Sequence, residues 1–155
     1  MRESSPIAEP LMDVPTAKDI SPTEGQDLDE KCALEHFLGK TQDEAKELFF
    51  EDAVYYECDF KWMGANAFTY YFPTIEPYLN SKDSENDADV LNALLGTIGS
   101  RLLDEPEAIS RCRKAILTIL RYCLKNYSKF EPDPRIYGDL RALLETRIKE
   151  VEAAN

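Results

Sequence analysis

The sequence is poor in the residues from which metal sites and nucleophilic active sites are usually built. It has one histidine, His36, and none of its four cysteines, Cys32, Cys58, Cys112 and Cys123, belongs to a C-x-x-C pair. Zinc sites and disulfide frameworks depend on closely spaced ligands, so this spacing favours free thiols and predicts neither a metal nor a cofactor. A single histidine without a G-x-S-x-G motif also leaves too little for a hydrolytic triad. We therefore predict no catalytic residue.

Long apolar runs are missing as well. No apolar stretch approaches the roughly 20 residues that a membrane-spanning helix needs. The N-terminus carries an early acid and several prolines instead of a basic segment followed by an apolar one. We expect a cytoplasmic protein that makes no contact with a membrane.

Positive charge is scarce in the first two thirds of the chain. Residues 1–104 contain 8 Lys and Arg against 22 Asp and Glu, whereas residues 105–155 contain 10 against 8. Binding to nucleic acid needs Lys and Arg to contact phosphate, so the front of the chain disfavours it and instead suits a basic partner protein. One helix face in the second region is basic and leaves phosphate or RNA binding as an alternative to a solvated surface; its residues are Arg111, Lys114, Thr118, Arg121 and Lys125.

Residues 1–26 differ in composition from the rest of the chain. They hold four of the nine prolines, mixed with Ser, Thr, Asp and Glu, and have no sustained apolar period. Such a composition buries too little surface to offset the entropy of ordering, so we predict an extended or loosely held tail followed by one helical domain at 27–155. The alternative is a segment that wraps over the domain through its apolar side chains, which are Ile7, Leu11, Met12, Val14 and Ile20.

Helical periodicity dominates from residue 27 onward. Asp27 and Thr41 are typical N-caps, each followed three residues later by a glutamate. The segment 52–63 is ambiguous, because Val54 and two tyrosines favour a strand, and we predict a loop with one helical turn. Further helices are predicted at about 86–103, 104–127 and 136–152.

Two prolines interrupt the aromatic segment 60–79. A continuous helix through Pro73 would lose a backbone hydrogen bond and introduce a clash, at a cost of about 3 kcal/mol. Thr74 as an N-cap would place Pro77 in a first turn, where proline is tolerated, so we predict a break at 72–74. The resulting fold class is all-α, an irregular single-domain bundle of about six or seven helices with an extended N-terminal tail.

Aromatic side chains are concentrated in one part of this bundle. Eleven of the 16 aromatic residues lie between Phe49 and Tyr78, which is more than one helical face can bury. Tyr and Trp suit interfaces where one end of the side chain remains wet. Core packing alone and a contact surface both remain open. The residues predicted for such a surface are Tyr55, Tyr56, Trp62, Tyr70 and Tyr71, with Glu44 and Glu47 from the acidic face of the second helix.

The string W-M-G-A-N-A-F-T-Y-Y-F-P, residues 62–73, followed by Tyr78 and Leu79, carries a resemblance to a known group. It resembles the A-F-x-Y-Y-x-P…Y-L signature of small uncharacterised bacterial proteins, some of which are similar to immunity proteins of polymorphic toxin systems. Met63-Gly64 stands where Thr-Pro is usual. The resemblance brings no catalytic residue and implies a small α-rich interaction protein.

Two functional hypotheses follow. The first is a non-enzymatic binding protein, of immunity type or another interaction type, that presents its acidic and aromatic surface to a basic partner. The alternative is a small-ligand-binding protein or enzyme with a pocket beside Trp62 and Tyr71, in which His36 would be the acid–base group. A homo-oligomer joined through the aromatic surface is compatible with either hypothesis.

Overall fold

The fold is known from a computed structural model that describes residues 13–154. Its α-helices are α1 (Ala17–Ile20), α2 (Leu28–Phe37), α3 (Gln42–Glu57), α4 (Ala65–Tyr71), α5 (Glu76–Asn80), α6 (Ala88–Asp104), α7 (Pro106–Arg111), α8 (Arg113–Lys125), α9 (Pro134–Tyr137) and α10 (Leu140–Ala153). Short 3-10 segments occupy Cys58–Lys61, Phe72–Ile75, Lys82–Ser84 and Tyr127–Phe130. Because residues 13–154 contain no strand, the all-α prediction is confirmed.

Helix α6 lies at the centre of the bundle. It packs against α3, α7, α10 and the 3-10 turn Cys58–Lys61. Its apolar residues recur at helical spacing, and all those on the inner face are fully buried: Val90, Leu91, Leu94, Leu95 and Ile98. Gly99 leaves room for the guanidinium of Arg147 from α10, since a Cβ there would lie 2.5 Å from it. Helix α6 therefore fixes the positions of both the N-terminal and the C-terminal helices.

The prediction of a loop at 52–63 is wrong for most of that segment. Helix α3 continues to Glu57, with a kink at Asp52 where the backbone becomes extended (φ −162°, ψ 89°). The Asp52 carboxylate accepts a hydrogen bond from the backbone N–H of Tyr55 at 3.2 Å, so it caps the helical turns beyond the kink. This capping outweighs the strand preference of the Val-Tyr-Tyr run.

The predicted break at Pro73 is confirmed, but Thr74 is not a helix cap. A 3-10 segment separates α4 from α5, and the Thr74 hydroxyl donates to the carbonyl of Tyr71 at 2.5 Å. Two helices predicted as continuous are also divided. Cys112 separates α7 from α8, and Gly138, with φ of 73°, separates α9 from α10. Glycine suits that left-handed conformation because it has no side chain.

Residues 1–26 were predicted to form an extended or loosely held tail. The structure describes residues 13–26 of that segment, and these are not loosely held. Residues 17–20 form α1, whose N-cap Thr16 and Asp19 make a reciprocal capping box. Ile20 is fully buried, and α1 packs on α2 and α4. Gly64 makes this contact possible, because a Cβ there would lie 2.3 Å from the carbonyl oxygen of Asp19. Of the predicted wrapping residues, Val14 is exposed, and Ile7, Leu11 and Met12 lie outside the described residues.

Candidate functional site

A cavity of about 260 Å³ lies between α2, the C-terminal end of α3 and the 3-10 turn Cys58–Lys61. Residues four apart share a helix face, so α2 presents Cys32 and His36 together. The kink in α3 brings Tyr55 to the opposite wall. We call this concavity the His36 cavity; its lining consists of Asp29, Cys32, His36, Tyr55, Cys58, Asp59 and Trp62.

A chain of three side chains crosses the wall of the His36 cavity. Asp59 is buried, and its Oδ2 lies 2.6 Å from Nδ1 of His36. The other ring nitrogen, Nε2, lies 3.1 Å from the hydroxyl oxygen of Tyr55. The edge of Tyr56 packs against the same imidazole, with ring centroids 5.1 Å apart. The imidazole is therefore held in one orientation by its two hydrogen bonds and by this packing.

The direction of the hydrogen bonds follows from the donors available. An ionised Asp59 can only accept, so Nδ1 of His36 carries the ring proton and donates it. In a neutral imidazole the other nitrogen, Nε2, is then an acceptor, and the Tyr55 hydroxyl donates to it. The lone pairs on the Tyr55 oxygen are left free to accept a hydrogen bond from a molecule in the cavity.

The turn that carries Asp59 and Trp62 is fixed by Arg101 of α6. The buried guanidinium donates to the carbonyl oxygens of Lys61 at 3.2 Å and Met63 at 2.5 Å, and it pairs with Glu105 at 2.9 Å. It also lies over the ring of Phe68, 4.8 Å from the centroid. Arg101 thus satisfies the turn's carbonyl groups, which have no helix to bond them.

Negative charge dominates the electrostatics of the His36 cavity. Burial raises the pKa of Cys58, and the nearby carboxylates of Glu57 and Asp59 raise that pKa further. Burial also raises the pKa of Tyr56, with a smaller contribution from surrounding acids. The pKa of Asp59 is raised by burial, an effect that its bond to His36 opposes. A thiol with a raised pKa carries little thiolate, so Cys58 is not an activated nucleophile.

Metal binding gains no support at this site. Cys32, His36, Cys58 and Asp59 all line the cavity, but within the described residues no group of three or more His, Cys, Asp or Glu side chains has an arrangement that could hold a metal ion. All four cysteines, each within residues 13–154, are free thiols. Burial raises the pKa of Cys112 and of Cys123 to about 12, as expected for thiols that pack in the core.

The structure brings together two of the five predicted contact aromatics and buries two others. Tyr55 and Trp62 are 53% and 42% exposed and line the His36 cavity, and Tyr56 is half-buried beside it. Tyr70 and Tyr71 belong to the core, so their assignment to a contact surface is wrong. Both sides of α4 are covered, because α1, α3 and α7 all pack on it.

Tyr71 has a structural role that its burial explains. Its hydroxyl donates to the carbonyl oxygens of Phe37 and Lys40, at 2.9 and 2.7 Å, which lie at the end of α2. A buried tyrosine needs such a partner for its hydroxyl, and a helix end supplies unpaired carbonyls. A pocket therefore lies beside Trp62, as the alternative hypothesis expected, but Tyr71 does not line it.

The predicted acidic residues lie apart from the cavity. Glu47 is exposed on α3, about 12 Å of helix rise from Tyr55. Glu44 caps its own helix, since its carboxylate accepts from the backbone N–H of Thr41 at 2.9 Å, which lowers its pKa. Glu44 and Glu47 therefore do not form one compact patch with Tyr55 and Trp62.

A second concavity, of about 530 Å³, flanks the kink of α3 on another side. Three of its carboxylates are already bonded: Asp52 accepts from the N–H of Tyr55 at 3.2 Å, Asp87 from the Tyr78 hydroxyl at 2.6 Å and the N–H of Val90 at 3.1 Å, and Asp89 from Tyr137. We call it the acidic concavity; its lining consists of Phe49, Phe50, Glu51, Asp52, Ala53, Val54, Tyr78, Asp83, Asp87 and Asp89.

Sequence reasoning identified some of this site and missed the rest. Cys32 and His36 are four residues apart, so helical periodicity alone is enough to place them on one wall. Nothing in the sequence marks Asp59 as the partner of His36, 23 residues away, or Arg101 as the support for the turn. One signal was available for Arg101, which follows the apolar repeat of α6 in the sequence. A charged residue buried in such a position requires hydrogen-bonding partners.

Comparison of the chain with protein-family models, curated proteins and solved structures found no match. The helices of residues 13–154 include none that is both long and apolar enough to cross a membrane.

Proposed function

We propose that the protein functions by binding a basic protein partner, without catalysis, through the surface around the His36 cavity. One observation carries the proposal: the two most exposed aromatics of the predicted set, Tyr55 and Trp62, meet at a single concavity. Aromatic side chains at the rim of a pocket are typical anchors of protein interfaces. An immunity-type role, in which the partner is a toxin, is one form of this proposal.

The charge around the cavity supports a basic partner. Within residues 13–154 no Lys or Arg lines it, whereas Asp29 and Asp59 do, and Glu51 and Asp52 are exposed on α3. Opposite charge on the partner would increase both the rate and the specificity of association. The four free cysteines support the accompanying proposal of a cytoplasmic location, where thiols stay reduced.

The proposal can be tested by selecting peptides that bind the purified protein from a displayed random library. We expect the selected peptides to be basic and to lose binding to Trp62→Ala. Phe50→Ala is the matched control, because Phe50 is 40% exposed but lines the acidic concavity. Equal binding to both variants, or selection of peptides without basic residues, would contradict the proposal.

Sedimentation of the unmodified protein tests the separate prediction of a homo-oligomer joined through the aromatic surface.

A second candidate function, small-ligand binding or acid–base catalysis in the cavity, is favoured by the pairing of His36 with Asp59. A neutral imidazole oriented by a carboxylate is the usual arrangement of a general base. Two features oppose catalysis: the Tyr55 hydroxyl occupies Nε2, and the Cys58 thiol is not activated. Screening neutral small molecules by Trp62 fluorescence separates the two functions. A surface that binds a basic partner through its negative charge has no electrostatic attraction for neutral molecules, so their binding would favour the second function.

A further inference from the structure

We propose that the His36 cavity binds the guanidinium group of an arginine side chain on the partner. This inference rests on the proposed function and specifies the partner's chemistry. Three features of the cavity support it independently: its aromatic walls, the sign of its charge, and the direction of its hydrogen bonds.

The aromatic walls suit a planar cation. The rings of Tyr55 and Trp62 both line the cavity and are about half exposed. Tyr55 packs against His36 and Tyr56, with ring centroids 5.0 Å from each, so we assign the stacking face to Trp62. A guanidinium stacks on such faces and gains from the negative charge of the ring, most strongly on tryptophan. The cavity volume of about 260 Å³ admits one side-chain head group rather than a folded element.

The charge of the cavity excludes an anion and favours a cation. Its lining contains the carboxylates of Asp29 and Asp59, and no Lys or Arg from the described part of the chain. The surrounding acids also make it harder for Cys58 and Tyr56 to lose their protons. A positive ligand would experience the same field as attraction. Lys61 favours the thiolate of Cys58, but it does not line the cavity.

The hydrogen-bond chain ends in an acceptor. With the ring proton of His36 on Nδ1 and Nε2 unprotonated, Asp59 accepts from His36, His36 accepts from Tyr55, and the Tyr55 oxygen is left with lone pairs for the ligand. A guanidinium only donates, and its N–H groups lie in the plane that stacks on a ring. An arginine head group could therefore stack on Trp62 while it donates to Tyr55. The ammonium of lysine lacks this planar face, so we expect it to bind less well.

The chain contains one tryptophan and one histidine, and both lie in this cavity, so the unmodified protein reports on its own site. Titration with Nα-acetyl-arginine amide should change Trp62 fluorescence and shift the His36 ring signals in proton NMR. The citrulline analogue, which keeps the shape but is neutral, should bind about tenfold more weakly, and the lysine analogue should fall between them. Equal affinity for arginine and citrulline, or no shift of His36 with arginine, would overturn the inference.

Variants then separate the two contacts, with affinity followed through the His36 signals because Trp62→Ala removes the fluorophore. Trp62→Ala should weaken arginine binding about tenfold, and Tyr55→Phe about threefold, since it keeps the ring but removes the acceptor. Phe50→Ala, outside the cavity, should leave binding unchanged. If Phe50→Ala weakens binding as much as Trp62→Ala does, arginine binds elsewhere and the inference is wrong.

The inference and the proposed function can fail separately. If arginine amide does not bind but selected basic peptides still require Trp62, the guanidinium site is wrong and the interaction surface stands. If neither the amide nor the peptides depend on Trp62, both are wrong.

Discussion

The two concavities beside α3 contain similar residues but leave different groups free. Each combines exposed aromatic surface with carboxylates. In the acidic concavity the carboxylates of Asp87 and Asp89 are bonded to tyrosine hydroxyls and a helix N-terminus. In the His36 cavity one buried carboxylate bonds His36, and the chain ends in the free oxygen of Tyr55. The number of acidic residues therefore does not identify a binding site. What distinguishes the His36 cavity is that its chain of hydrogen bonds ends in an acceptor that a ligand can use.

The local sequence explains this difference. Asp87 is the N-cap of α6, so its carboxylate serves the backbone N–H groups that a helix leaves unpaired. Asp59 lies within a 3-10 turn that continues directly from α3 and is not at a helix N-terminus, so its carboxylate has no unpaired N–H groups to cap and is left for His36. The predictions below test this division between residues that hold the fold and residues that face a partner.

The largest effect is expected from Arg101→Met, which removes the support of the turn beneath Trp62. The carbonyl groups of Lys61, which is partly buried, and of Met63, which is buried, would lose their donor, at a cost of about 3 kcal/mol in the free energy of unfolding. Urea unfolding measures that loss, and we expect the native Trp62 emission to shift to the red because the turn loosens.

Arg147→Met is the matched control for Arg101. Arg147 also bridges to α6, donating to the carbonyl of Leu95 at 2.9 Å, but its side chain is partly exposed and contacts no part of the turn. We expect a loss of about 1 kcal/mol and no change in Trp62 emission. Equal losses and unchanged emission in both variants would show that Arg101 does not position the cavity.

A pH-dependent effect of similar size is expected at Glu57, next to Cys58 on the cavity wall. Its carboxyl is buried with Oε2 unbonded, and burial raises its pKa from 4.5 to about 7. Thr97 and Lys61 favour the charged form and Asp59 disfavours it, all by less than burial. Between pH 4.5 and 7 the unfolded chain releases this proton while the folded chain keeps it, so the free energy of unfolding falls by about 3 kcal/mol as pH rises.

Glu57→Gln should remove this dependence, because glutamine keeps the shape of the protonated acid. We expect the variant to match the unmodified protein at pH 4.5 and to exceed its stability by about 3 kcal/mol at pH 8, measured by urea unfolding. Glu51→Gln, an exposed acid on the same helix, should change stability by less than about 0.5 kcal/mol at either pH. If the two variants behave alike at pH 8, Glu57 is not the buried titrating group.

The features that the sequence predicted correctly depend on local patterns. The caps at Asp27 and Thr41 and the break at Pro73 are read from neighbouring residues, and the structure has each of them. The apolar repeat of α6 likewise requires only its own periodicity. Local signals were sufficient for the all-α class because helical hydrogen bonds join residues close in the chain.

The errors share a different cause, which is packing between distant segments. Tyr70 and Tyr71 were assigned to a contact surface because the segment has more aromatic residues than one helical face can bury. The end of α2 covers Tyr71, whose ring packs on Phe37, and Tyr70 packs on Tyr71. The pairing of His36 with Asp59 requires α2 and the turn after α3 to meet, which no local spacing specifies. The candidate site is therefore mostly a product of tertiary structure.

A smaller effect is expected from Tyr78→Phe in the acidic concavity. The buried hydroxyl donates to Asp87, so its removal should lower the free energy of unfolding by about 1 kcal/mol in urea. The change should leave arginine binding unaltered, because Tyr78 does not line the His36 cavity. Loss of arginine binding without loss of stability would reverse the roles assigned to the two concavities.

The smallest effect on stability is expected from Tyr55→Phe, although it removes the same chemical group as Tyr78→Phe. Tyr55 is 53% exposed, so water can replace the lost bond to His36, and unfolding should change by less than about 0.5 kcal/mol. Urea unfolding of this variant beside Tyr78→Phe measures the contrast directly. If Tyr55→Phe is the more destabilising of the two, the Asp59–His36–Tyr55 chain exists to hold α2 against α3, and its open acceptor is incidental to binding.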